Sequence, residues 1–502
     1  MAGTGQTRGR SISERISALR AHLAANPEQQ DTSLLGELGT LIFGTRNFEE
    51  AVRIFEKVAA LEPRNALPVN NIAACYLEMG RFQDVIETAD KAIELDPNLG
   101  TAYANRADAH RNLGHVQRAA ADYQQAVNLD PRNPVLLNKA GACLQLINRY
   151  DVAKKHFEAA LSVAPRFSLA RLNLGLLGLE SGDGEQALKR IRDAVSDRNL
   201  DEQSRVIGNT ALAVLDDHKR LAPHLAESLE TGSVDKLQEA IGRTRPQLLS
   251  RCSRSTRLMD KLAESARQLE WNQRQFTLAG KQDHVPFLEA AAHCKLDPHV
   301  DSLLITHNSL NKGAQLPAAA VERDLPALYQ ACRDRANISM DEHFEGRGEA
   351  WIHYWHARLT AKDSNAFPGQ FKPVPNAIGF AEQVPATPPG LVPGTLRHML
   401  NEVCPTVPAG IPRATFLLVV LIQMHAFKDG NGRLARFIFS WQLESQGMHP
   451  LIVMSPARRN YVKGLTESRN EQSLQPMLDS LVSTYRDAQQ TLNEFNRKAQ
   501  SL

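Results

Sequence analysis

The 502-residue chain is long enough for about three domains with real cores. Hydrophobic residues make up 42% and charged residues 23%, which excludes a disordered, collagen-like or low-complexity protein. Lys and Arg number 58 against 56 Asp and Glu, a formal charge of +2, so no global positive field argues for a nucleic-acid partner. The first residues, MAGTGQTRGRSISER, are small, polar and basic with no apolar stretch behind them. They read as a flexible tail and leading helix over 1–31, not as a secretory signal. The longest apolar run, Phe416 to Ile422, falls far short of the roughly 20 residues of a membrane span and predicts a buried helix. Six cysteines without a CxxC pair give neither a disulfide framework nor a zinc site. A reducing, cytoplasmic site of action fits best, with delivery into another cell left open.

Pro63, Pro97, Pro131 and Pro165 recur at intervals of 34 residues, each placed to stop a helix because proline cannot continue the hydrogen-bond ladder. Within each period a small residue recurs at Gly39, Ala73, Ala107, Gly141 and Gly175. A second, mostly small, recurs at Ala51, Val85, Ala119, Ala153 and Ala187, where paired helices must approach closely. A larger residue usually follows four positions later, at Phe55, Tyr123, Phe157 and Ile191, with Ala89 the exception. Gly80, Gly114 and Gly182 fall at the turn between the two helices. These residues resemble the tetratricopeptide repeat, and five copies cover about 32–199. The resemblance implies a right-handed superhelix whose concave face binds a peptide or another part of the chain. Asn71, Asn105 and Asn173 share one register, broken by Lys139; their simpler role is to satisfy neighbouring polar groups. The basic clamp of chaperone-tail-binding repeats is not evident.

From 200 to 295 the period fades. Gln203 to Lys219, Ser233 to Ile241 and Met259 to Phe276 remain helix-compatible, with polar breaks at Glu230–Gly232 and Gly280–His284. This stretch reads as a helical connector without chemistry of its own, with Trp271, Phe276 and Phe287 packing its core.

The C-terminal part, 296–490 with a helix end at 491–502, carries the chemistry. Trp351 and Trp355 lie four apart, a stripe that reads as core. His353 and His356, three apart, have no carboxylate in register and read as packing or hydrogen-bonding groups rather than a metal pair. Pro368 to Lys372 reads PGQFK, followed by Ile378 and Gly379 and by the proline-rich ATPPGLVPGTLRHM at 386–399. Then FLLVVLIQM and FIFSWQL flank HAFKDGNGRLAR, residues 425–436. A polar loop thus joins two buried helices. Its glycines let the backbone come close to a ligand, and amides opening the second helix form an anion site. Arg433 and Arg436 share a helix face and suit a polyphosphate. Asp429 offers a hard oxygen for Mg2+, and His425 has the intrinsic pKa of a general base.

The segment 425–436 matches every defined position of HxFx(D/E)GNGRxxR, the signature of the Fic domain, and the resemblance covers about 300–490. The usual Pro after the histidine is Ala426, and Lys428 replaces a frequent Arg. The resemblance implies an all-α fold in which a TPR superhelix precedes a Fic-fold helical domain with a short β-hairpin flap. It implies transfer of AMP from ATP to a Ser, Thr or Tyr hydroxyl of a target protein. His425 would take the proton, and the amides of Gly430, Asn431 and Gly432 would hold the α- and β-phosphates. Asp429 would hold magnesium, while Arg433 and Arg436 would meet the β- and γ-phosphates. RNYVKGL at 459–465 is similar to the family's helix near the nucleotide base and points to Tyr461. The flap, with Phe371, Lys372 and Ile378, would hold the target by strand addition. Kinase-like members carry Lys where this chain has Gly432, which favours nucleotidyl transfer. No intact (S/T)xxxE(G/N) inhibitory helix is present; Ser302 and Thr306 mark its best position, with Thr306 at the glutamate's place. Arg436 would then lack a carboxylate partner. The alternatives are another cargo (UMP, GMP or phosphocholine) or a non-catalytic repeat scaffold with a nucleotide-binding Fic fold. The partners implied are target proteins, with no nucleic acid and no membrane span.

Overall fold

The computed structural model describes residues 12–26, 31–147, 149–181, 184–276, 340, 344–361, 367–374, 377–378, 384–448 and 458–500. Contacts divide the chain into two compact units, Met1–Leu177 with Asp193–Leu200, and Gly178–Arg192 with Asp201–Leu502.

The first unit opens with helix Ile12–Ala25, whose Ile16 and Leu19 join a core with Leu38, Ile42 and Phe55. Four helix pairs follow: 32–44 with 48–61, 66–78 with 82–95, 100–112 with 116–129, and 134–146 with 150–163. Each second helix stops at Leu61, Leu95, Leu129 or Val163, two residues before its proline, because the residue preceding proline is pushed out of the helical region. Three of these four first helices start on side-chain caps, at Asp31, Asn65 and Asn133. Asp31 accepts from the Leu34 amide at 3.0 Å, and Asn133 accepts from Val135 and Leu136. The small register residues are small for a measurable reason: a Cβ on Gly39 would lie 2.7 Å from Phe55, and one on Gly141 2.7 Å from Phe157. Gly80 and Gly114 sit left-handed at the intrarepeat turns, with Arg46 accepting the same strain in the first pair. A fifth pair, Ser168–Ser181 and Gly184–Val195, straddles the division between the units.

Two asparagines of the series are satisfied between neighbouring repeats, by partners one residue outside the register. Asn105 donates to Asn70 at 2.9 Å, and Asn173 donates to Asn138 at 2.8 Å. Where Lys139 breaks the series, its ammonium instead reaches the buried carboxylate of Asp108 at 2.7 Å, which also accepts from Tyr123 Oη at 2.6 Å.

The second unit is built on one apolar core. Helices Glu202–Thr231, Asp235–Gly242 and Ser253–Gln268 contribute Leu221, Leu225, Leu237, Met259 and Leu262. They meet residues of Gly348–Thr360, Val392–His398, Ile411–Met424, Asn431–Glu444, Arg458–Glu471 and Gln475–Gln500. The stretch expected as a connector therefore shares its core with the C-terminal helices. Approach is close enough to exclude a side chain at Gly390, where a Cβ would lie 2.5 Å from Thr210, and at Gly394, where it would fall on the Leu249 backbone. Trp351 and Trp355 are buried, as the stripe predicts, and so is Trp441. Phe276 is buried edge-on to Tyr485. Trp271 differs: it is 36% exposed, since it lies beyond the end of helix 253–268 and outside the core. Phe287 and the break at 280–284 lie outside the described residues.

Two short strands, Ala377–Ile378 and Val384–Pro385, pair antiparallel with Ile378 opposite Val384. The first includes Ile378 of the expected flap, whereas the second lies beyond Gly379. None of the described helices is long and apolar enough to cross a membrane.

Candidate active site

The central helix Ile411–Met424 ends because His425 adopts the left-handed conformation, φ 48° and ψ 56°, its amide still bonded to Leu421 O at 3.2 Å. For a residue with a Cβ that conformation costs about 1–2 kcal/mol. The turn reverses the chain, so that Ala426 and Phe427 are driven into the core at 3% and 1% exposure. Gly430, at φ 79°, makes the second sharp turn and caps helix Asn431–Glu444 without supplying a side-chain acceptor. The first intrahelical bond here runs from Leu434 N–H to Gly430 O. The amides of Asn431 and Gly432 therefore point out of the helix end, where the helix dipole favours an anion. A side chain at Gly430 would meet Thr360 at 2.6 Å and His356 at 2.9 Å.

Five groups hold the loop and its neighbouring strand in shape. Asn431 closes it internally: its Oδ1 accepts from Phe427 N–H at 2.9 Å and its Nδ2 donates to Phe427 O at 2.8 Å. The main chain of 371–372 lies alongside, with Phe371 bridged antiparallel to Phe427 and Lys372 N–H donating to Ala426 O at 3.0 Å. His356 accepts from Gly369 N–H at its Nδ1, 2.9 Å, so its Nε2–H donates to Asp429 O, 2.7 Å. The same ring stacks on Phe427 at 3.7 Å and 7°. His353 donates through Nδ1 to Gly369 O at 2.5 Å, and His218 bonds Phe371 O at 2.6 Å. The two histidines of helix 348–360 thus carry the hydrogen-bonding role read from sequence. Among the described residues, no group of three or more His, Cys, Asp or Glu is placed to hold a metal.

The charged residues separate into two kinds. Arg433 is only 4% exposed and donates through Nη1 to Leu359 O at 3.0 Å, which ties the motif helix to the end of helix 348–360. Arg436 is half-buried, and no carboxylate pairs with it among the described residues. Its Nη1 lies 3.0 Å from where a Cβ on Gly432 would be, so the glycine leaves the guanidinium its room. Tyr461 is 5% exposed beside it; burial pushes the phenol up, opposed by Arg436. Asp429 uses Oδ1 to accept from the Gly430 amide at 2.6 Å.

Phe371 and Lys372, expected to face an incoming segment, are 6% and 1% exposed. Their backbone serves the motif loop and their side chains are enclosed; burial pushes the Lys372 ammonium down to about 7. Ile378 contributes its backbone to the strand pair. Ser302 and Thr306 lie outside the described residues. His218 was invisible to sequence reading, because it stands 153 residues from its partner.

Burial pushes His218 and His353 down to about 4 and His356 to about 3, from the ordinary 6.5. They are neutral in the fold, whereas the unfolded chain binds a proton at each as pH falls below about 6.5. Their stabilisation is full above that pH and is drained as pH falls towards 4, by about 1.4 kcal/mol per pH unit for each residue. Glu349 opposes them: burial raises it to about 7 against the pull of Arg397, 2.5 Å away. Its contribution is full below 4.5 and lost as pH rises through 7. Two net protons remain, so between pH 6.5 and 4.5 the second unit is expected to lose about 3 kcal/mol per unit of pH. All four tryptophans lie beyond residue 270, so their fluorescence in urea titrations reads this unit. A midpoint that stays flat across the interval would refute the assignment.

Residues 348–443 match the Fic/DOC family model. Tetratricopeptide-repeat models match 43–107, 100–133 and 147–201. The chain thus carries a Fic/DOC domain preceded by tetratricopeptide repeats, and the domain supports a Fic-family enzyme. Similar solved structures are repeat proteins. MamA is 24% identical over 32% of this chain and 93% of its own, with a TM-score of 0.30. YrrB, described as a TPR protein with an unusual peptide-binding site, is 19% identical over 38% and 97%, TM-score 0.32. A TPR protein of Thermus thermophilus is 20% identical over 36% and 98%, TM-score 0.31. None of the curated proteins matches the chain.

Proposed function

We propose that the protein is a protein adenylyltransferase that moves AMP from ATP to a Ser, Thr or Tyr hydroxyl of a target protein. The observation that carries this reading is the loop 425–436: a left-handed His425 closes one buried helix, and a left-handed Gly430 opens the next onto outward-facing amides. Arg436, without a carboxylate among the described residues, stands one turn further on.

In the reaction the target's hydroxyl oxygen attacks the α-phosphorus of ATP and passes its proton to His425. The new O–P bond forms as the bond from the α-phosphorus to the β-bridging oxygen breaks, and pyrophosphate leaves. The amides of Asn431 and Gly432 meet the phosphates and Arg436 the distal charge, so placement and charge neutralisation supply most of the barrier reduction. Arg433, anchored on Leu359 O, keeps the helix end aimed. The second carboxylate oxygen of Asp429, with no protein partner among the described residues, fits a magnesium ion. When bound, that ion would neutralise phosphate charge. The repeats suit recruitment of a protein partner, and the strand pair 377–385 offers an edge on which a target segment could add.

The test is incubation of the full-length protein with cell lysate, magnesium and ATP labelled on the α- or the γ-phosphate. Transfer of α label alone, with an AMP mass increment on the product, is the expected result. Transfer of γ label alone, or of label from UTP, GTP or a phosphocholine donor in place of ATP, would overturn the choice of cargo.

A further inference from the structure

Helix Glu202–Thr231 holds the segment 367–371 at three points. His218, 8% exposed, donates from Nε2 to Phe371 O at 2.6 Å. The same ring tilts against the ring of Phe367 at 5.9 Å. Two helical turns on, Leu225 closes over Gly369, which sits at φ 66° and has no room for a side chain: a Cβ there would lie 2.6 Å from Leu225 and 2.7 Å from His353 O. Elsewhere this backing is thin. Gln370 and Phe371 border a cavity of about 20 Å³ with His218, Leu221 and His353, room for about one water molecule. Direct bonds, more than packing, therefore fix the segment on that side.

On its other side the segment grips the motif loop. Lys372 N–H donates to Ala426 O, Phe371 is bridged to Phe427, and the Lys428 ammonium lies 5.2 Å from the centre of the Phe367 ring. Ala426, Phe427 and Lys428 are the three residues that follow His425. We propose that His218 is a positioning residue for His425, and that the catalytic unit begins at helix 202–231, more than a hundred residues before the match to the Fic/DOC family at 348–443; the inference rests on the transferase reading above. His218 acts through two links, Phe371 to Phe427 and Phe367 to Lys428, and touches neither nucleotide nor target. A misplacement of about 1 Å costs about a hundredfold in rate. The nucleotide's side of the loop is tied down elsewhere, by Arg433 on Leu359 O and by His356 on Asp429 O. Loss of the His218 bond is therefore expected to slow transfer while ATP still binds.

Amide hydrogen exchange of the full-length protein, without nucleotide, tests the clamp. The reporting amides are Gln370, Lys372 and Phe427, bonded to Phe367 O, Ala426 O and Asn431 Oδ1. His218→Leu removes the donor and is expected to speed exchange in 367–372 and 425–428 at least tenfold, with helices 253–268 and 458–471 unchanged. His218→Gln, whose amide can take the place of Nε2–H, is expected to stay within threefold of the native chain. In α-label transfer to lysate protein, His218→Leu is expected to lower the rate at saturating ATP at least tenfold. The ATP concentration that gives half the maximal rate is expected to stay within twofold, and His218→Gln to restore the rate. Phe367→Leu, at a half-buried position, removes the ring that both His218 and Lys428 touch. It decides the question if His218→Leu does not fold, and is expected to speed exchange in the same two segments. Acceleration spread over all the helices makes His218 an ordinary core residue and overturns the proposal; so does unchanged exchange in the two segments. The two readings fail separately. Segment-limited acceleration in a protein whose native form transfers no label overturns the transferase, and native-like transfer by His218→Leu overturns the positioning role.

Discussion

Replacement of His425 by alanine is expected to lower α-label transfer a hundred- to ten-thousand-fold, the range that a positioned general base contributes. The residue closes helix 411–424 in the left-handed region, so alanine there keeps the backbone strain and removes only the imidazole. Asparagine tolerates that conformation better than most residues and provides a second variant without a base. Nucleotide binding is expected to persist in both, because the amides of Asn431 and Gly432 and the guanidinium of Arg436 stand on the following helix, which Asn431 and Arg433 anchor independently. Retention of transfer within threefold of the native rate in both variants would remove His425 from the chemistry.

Gly394→Ala is expected to be the most damaging of the small substitutions. Its Cβ would fall on the Leu249 carbonyl and 2.5 Å from Ser250 O, backbone atoms that cannot rotate aside as a side-chain tip can. Helix 392–398 would have to retreat, stretching the bond from Cys252 N–H to Thr395 Oγ1, now 2.9 Å. Overpacking of this kind costs about 3 kcal/mol, which lowers an unfolding transition by about 4–5 °C in a unit of about 320 residues. Gly36→Ala provides the contrast. Nothing lies within 4 Å of its Cβ position, and alanine in a helix interior stabilises by about 0.5–1 kcal/mol. Thermal melts of the two variants check the pair: a Gly394→Ala transition within 2 °C of the native one would mean that the approach of 249–250 to this helix is not tight.

The repeat half was legible because each helix pair packs against its neighbours under one rule, and the rule prints itself every 34 residues, from Gly39 against Phe55 to Gly141 against Phe157. The motif loop was legible for a related reason: its glycines, asparagine and arginines act within a dozen residues of one another. What sequence could not show was pairing at long range. His218 reaches Phe371 across 153 residues, and nothing near His218 hints at that partner. Phe371 and Lys372 were expected at the flap from their likeness to the family's flap entry, and the sequence did not show that their backbone bonds to Phe427 and Ala426. Residues 202–268 carried helical periodicity without a partner in sight, so they read as a link between domains. Their apolar faces are completed by residues that lie more than a hundred positions later. Trp271 was misread because an aromatic side chain says nothing about where its helix ends.

That shared core sets a schedule for the growing chain. Helices 202–268 leave the ribosome long before helices 411–424 and 431–444, which fill their apolar sides. At about 5–20 residues per second the wait is about ten to thirty-five seconds. Through that interval the core around Leu221, Leu237 and Leu262 lacks the residues of helices 411–424 and 431–444, while the repeats upstream can close pair by pair as they emerge. The stretch that looked least functional in the chain is thus the one whose core waits longest to be completed during synthesis.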